Sequence, residues 1–109
     1  MAYNEFLADR IRTVLHEKKV AFEEKKMMGG LTFMVNDKMC VGIVKDELMS
    51  RIGPKVYEDA LTRDGVRAMD FTGRPMKGYV FVNAEGKDTE DQLNHWIELA
   101  VQFNKELIG

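Results

Sequence analysis

Two runs of strand-forming residues, 31–35 and 38–44, stand on either side of Asn36-Asp37, and this arrangement constrains the fold more than any other part of the chain. Asparagine and aspartate accept the left-handed backbone that a tight hairpin needs, so the two runs are expected to pair antiparallel. A further turn at Lys45-Asp46-Glu47 leads into residues 48–52, where Leu48, Ser50 and Ile52 alternate with Met49 and Arg51 as in a third strand. Such a sheet needs helices to cover its apolar face.

The rest of the chain supplies them. Leu7, Ile11, Val14 and Leu15 recur at helical spacing, with charged residues between them. Gly53-Pro54 ends the third strand and opens a short helix whose buried side is Val56, Tyr57, Ala60 and Leu61. Residues 66–71 and 78–82 read as two more strands. Thr89-Glu90-Asp91-Gln92 has the spacing of a capping box, and Leu93, Trp96, Ile97, Ala100, Val101 and Leu107 mark a long amphipathic helix with Trp96 in the core. The charged centre of residues 20–27, Glu23-Glu24-Lys25-Lys26, suits an exposed edge strand or a connection. The expected fold is therefore one α+β domain over residues 1–109, an antiparallel sheet of about five strands with helices packed on it, in the order α-β-β-β-α-β-β-α.

Hairpin register decides which residues share a face. An even-length turn puts Phe33 and Cys40 on one face and Met34, Met39, Val41 and Ile43 on the other. An odd-length turn gathers Leu31, Phe33, Val35, Met39, Val41 and Ile43, and still leaves Met34, Cys40 and Val44 opposite. Either way the second face is more apolar than one left to water, which predicts a homodimer joined through a surface that includes Met34, Cys40 and Val44. The alternative is a terminal helix covering that face.

Composition narrows the function classes. With 45% hydrophobic residues in 109, one core forms without metal or disulfide, and Cys40 is the only cysteine, as expected in a reducing cytoplasm. Sixteen basic against 18 acidic residues, a net charge of -2, argue against direct nucleic-acid binding. Nor is there an apolar run long enough to span a bilayer.

Candidate chemistry is sparse. Cys40, with only His16 and His95 as imidazole bases, reads as a small buried hydrophobe, and both histidines read as surface residues. Asp70 pairs naturally with Arg74 to pin the loop between the last two strands. The cations Lys26, Arg51, Arg74 and Lys77 form a candidate site for an anion or small molecule, although neither GxxxxGK[ST] nor GxGxxG is present. No catalytic residue, cofactor or metal site is expected.

Three segments carry a resemblance: Lys26-Met27-Met28-Gly29-Gly30-Leu31-Thr32-Phe33-Met34-Val35-Asn36; Arg51-Ile52-Gly53-Pro54 with Tyr57-Glu58 and Ala60-Leu61; and Met69-Asp70-Phe71-Thr72-Gly73-Arg74-Pro75-Met76-Lys77-Gly78-Tyr79-Val80. In this order they resemble the TfoX N-terminal domain family. The resemblance implies an α+β fold with an antiparallel sheet and a bacterial origin. The namesake proteins are positive regulators of competence genes and carry a second, helical domain. The expected function is a non-enzymatic regulatory or protein-interaction module, homodimeric and with a regulatory protein as partner. A small-molecule or anion-binding domain built on the Arg74 loop is the alternative.

Overall fold

A computed structural model describes residues 4–27, 30–70, 75–87 and 89–108. Helix α1 (Glu5–Glu17) starts at Asn4, whose Oδ1 accepts from the Leu7 N–H at 3.1 Å. Asn4 also donates its backbone N–H to the Lys45 carbonyl at 2.9 Å, so the helix begins against a strand turn. The strands are β1 (Glu23–Met27), β2 (Gly30–Val35), β3 (Lys38–Val44), β4 (Glu47–Arg51), β5 (Val66–Asp70) and β6 (Pro75–Val82). One-turn helix α2 (Tyr57–Ala60) separates β4 from β5, and α3 (Ala84–Lys87) precedes the long α4 (Glu90–Ile108). All strand pairs are antiparallel in one sheet of order β1-β2-β3-β4-β6-β5.

The α+β class and the antiparallel sheet agree with the sequence reading, with the charged segment Glu23–Met27 supplying a sixth strand at the sheet edge. The polar stretch before α4 holds the extra turn α3, and Pro75 already belongs to β6. Helix α2 is shorter than expected. Pro54 only initiates a turn, its carbonyl accepting from Tyr57, and Val56 and Leu61 are half-buried while Tyr57 and Ala60 are buried.

Asn36 and Asp37 both take positive φ, 54° and 63°, and close a two-residue turn between Val35 and Lys38. Next to this turn Met34 faces Met39, as in the even register. Farther along, Phe33 faces Val41 and Leu31 faces Ile43, as in the odd one. The change is a β-bulge in which Cys40 is the additional residue. Cys40 therefore does not lie on the second face as expected. It is 1% exposed and joins Phe33 in the core.

One core fills the space between the sheet and the helices. Leu31, Phe33, Val41, Ile43, Leu48, Val80 and Val82 meet Leu7, Ile11 and Leu15 of α1 and Leu93, Trp96, Ile97 and Ala100 of α4. Burial of a side chain such as Phe33 contributes about 1.5–3 kcal/mol. Polar groups inside are matched: Ser50 donates Oγ–H to the Trp96 carbonyl at 2.9 Å, and Trp96 donates Nε1–H to the Gly86 carbonyl at 3.0 Å. Asn104, 2% exposed, accepts from Asn36 Nδ2 and donates to the Val35 carbonyl, both at 2.9 Å, fastening α4 to the hairpin turn.

Candidate functional site

The second face of the sheet, away from the helices, follows from strand pairing. Opposite Leu48 and Ser50, which point to the core, β4 directs Glu47, Met49 and Arg51 to this face. Their partners on β6 include Phe81 beside Met49 and Tyr79 beside Arg51. Met49 and Phe81 are 2% and 4% exposed and form a small second cluster with half-buried Met39, Val44 and Tyr79. The Met49 methyl group lies over Gly42, which has no side chain to displace it.

Two guanidinium groups lie against this cluster. Arg67 stands 4.6 Å from the Phe81 ring centre and is held by Glu47 through contacts of 2.6 and 3.1 Å. Arg51 lies between two rings, 5.2 Å from Tyr79 and 5.6 Å from Phe103, a half-buried residue of α4. Phe103 reaches it at the end of the strand because Gly53 carries no Cβ there; its φ is +88° and a Cβ would collide with the Phe103 ring. The face is thus an apolar strip with cationic covers, with half-buried Met34 and Val44 among its apolar residues. Of the expected interface residues, Met34 and Val44 lie on this strip and Cys40 beneath it in the core.

Among the described residues, Lys26 is set apart from the other candidate anion-binding cations, Arg51 and Lys77. Lys26 is exposed on β1, and three strand spacings, about 14 Å, separate β1 from β4. Arg51 and Lys77 lie on adjacent strands, but Arg51 is engaged with the two rings. Arg74, and with it the expected Asp70–Arg74 ion pair, lies outside the described residues.

Burial pushes the Cys40 thiol up to about 12, so it carries almost no thiolate at neutral pH. His16 is exposed, its ring 5.6 Å from that of Phe22. His95 is half-buried beside Trp96 in an open cleft of about 540 Å³ lined also by Thr62, Arg63, Asp64, Gly86, Asp91 and Gln92. Desolvation, with Arg63 adding, holds its imidazole below the ordinary value and favours the neutral form. Among the described residues no group of three or more His, Cys, Asp or Glu can hold a metal ion, and no helix is long and apolar enough to cross a membrane.

The sequence reading did not find Glu47, Arg67 or Phe103. Glu47 on β4 and Arg67 on β5 are 20 residues apart and reach each other across β6, so no local spacing marks them. The hairpin residues Met34 and Val44, the alternation of β4 and the apolar run at Tyr79–Val82 were the signals that this face would be partly apolar. The family model described as TfoX N-terminal domain matches residues 17–104, a span that contains all three segments quoted above. Neither a curated protein nor a solved structure matches the chain.

Proposed function

Because the chain belongs to the TfoX N-terminal domain family, we propose that it is a non-enzymatic, TfoX-like regulatory domain of the cytoplasm that acts as a homodimer and contacts a regulatory protein through the second face of its sheet. The observation that carries this reading is the apolar strip on that face. Met39, Val44 and Tyr79 remain half-exposed around Met49 and Phe81, with half-buried Met34 beside Met39 on the same face and guanidinium groups at the margins. Apolar centres with aromatic and arginine residues are what protein contacts favour. The family match is what supports a role resembling that of the competence regulators.

The test is affinity capture from source-cell extract with the tagged protein and its Met34→Lys variant. A stoichiometric protein retained by the wild type and lost from a folded variant supports the reading. A partner held equally by both, or a bound metabolite in place of a protein, would overturn it.

A further inference from the structure

Among the described residues no strand pairs with the outer edge of β1, and its residues Glu23, Glu24, Lys25 and Lys26 are all exposed. Exposed edges commonly carry charge to repel other strands. Here the charges are mixed, two acidic followed by two basic, which changes what the edge admits. An edge of one sign would repel its own copy, whereas this one can complement itself.

We propose that two copies of the chain pair antiparallel along β1, joining their sheets into one of twelve strands about a twofold axis at Glu24. This inference rests on the homodimeric reading above and places its contact at the strand edge, in place of the second-face contact expected from the sequence. In antiparallel pairing, opposed residues both turn their backbone groups towards the partner strand or both away, so a twofold axis passes through a residue. An axis at Glu24 sets Glu23 against Lys25 of the second copy, and Lys25 against its Glu23. Both pairs fall on the face that carries Met34 and Thr32, the strand partners of Glu23 and Lys25. On the helix face Glu24 meets its own copy, but each carboxylate already accepts two bonds of 2.7 Å from Arg12, which also holds Asp9 at 2.6 Å, so the guanidinium offsets part of the central repulsion.

An axis at Lys25 fits worse. It places Lys25 against itself with Met27 opposite Glu23, and it opposes Lys26 to a Glu24 already bound to Arg12. Antiparallel pairing about such an axis leaves the second faces of both copies on one side of the joined sheet in either register, as a single surface for a partner.

Sedimentation velocity over roughly 1–100 μM tests the pairing. The wild type is expected to dimerise, with association weaker at high salt because the paired charges are exposed. Glu23→Lys and Lys25→Glu should each weaken dimerisation by about tenfold or more, since each sets two like-charged pairs across the axis. The double variant Glu23→Lys/Lys25→Glu should restore it, which a merely structural loss would not do. A wild type that dimerises equally well with either single change overturns the β1 contact and leaves the homodimeric reading standing. A wild type that stays monomeric throughout removes both.

Discussion

Asn104 shows what a single residue contributes. Its side chain is buried and satisfied at both ends by groups 68 and 69 residues away, on and beside the hairpin turn. Replacing it with alanine leaves the Val35 carbonyl without its buried donor and frees Asn36, so Asn104→Ala should cost about 1–3 kcal/mol in urea unfolding. A loss within a few tenths would mean that water replaces both bonds. Nothing near Asn104 in the sequence announces this role, because its partners come from the other end of the domain. The placement of Trp96, Leu93 and Ile97, by contrast, is legible from helical spacing alone, and all three are buried.

At the scale of elements, local chemistry was readable where it acts over a few residues. The capping box is present as its spacing predicts: Gln92 donates its N–H to Thr89 Oγ1 at 3.1 Å, and Thr89 donates its N–H to Gln92 Oε1 at 3.0 Å. Thr89→Ala should therefore lower stability by about 1 kcal/mol, measured as a shift in unfolding midpoint at unchanged slope. Thr89→Ser should recover most of it. The Asn36-Asp37 turn was legible for the same reason, since left-handed tolerance belongs to the residues themselves. Hairpin register was not. A bulge at Cys40 lets one hairpin use both registers, and a bulge is chosen by what packs on either face, not by the turn. The insertion of β6 between β4 and β5 was equally hidden, and with it the Glu47–Arg67 contact.

In the molecule as a whole, ion pairs tie α1 to the rest: Arg12 to Glu24 of β1 at 2.7 Å, and Lys18 and Arg10 to Glu98 and Glu90 of α4 at 2.6 and 2.9 Å. Hydrogen bonds from Arg12 and Lys18 hold the carboxyls of Glu24 and Glu98 below their ordinary 4.5. A carboxyl with a depressed folded-state value stabilises the fold above its unfolded value, and that contribution disappears as pH falls through the folded one. These groups are partly exposed, so each pair is worth about 0.2–1 kcal/mol. The double variant Arg12→Ala/Lys18→Ala should be about 1 kcal/mol less stable than wild type at neutral pH, and the gap should close as pH falls through the depressed folded-state values of the two carboxyls. A gap of constant size would show that the two side chains act through their packed stems instead of their charge.

The position of α4 in the chain also has a consequence during synthesis. This helix lies over β3 and β4 and completes their core, yet it follows every strand in the sequence. On the ribosome α1 emerges ahead of the strands and can cover part of the sheet, but the part of the core that α4 covers stays open until residues 90–108 have cleared the exit tunnel. A nascent chain of this domain therefore exposes a sticky half-core for much of its translation, and that interval is when it depends most on chaperones.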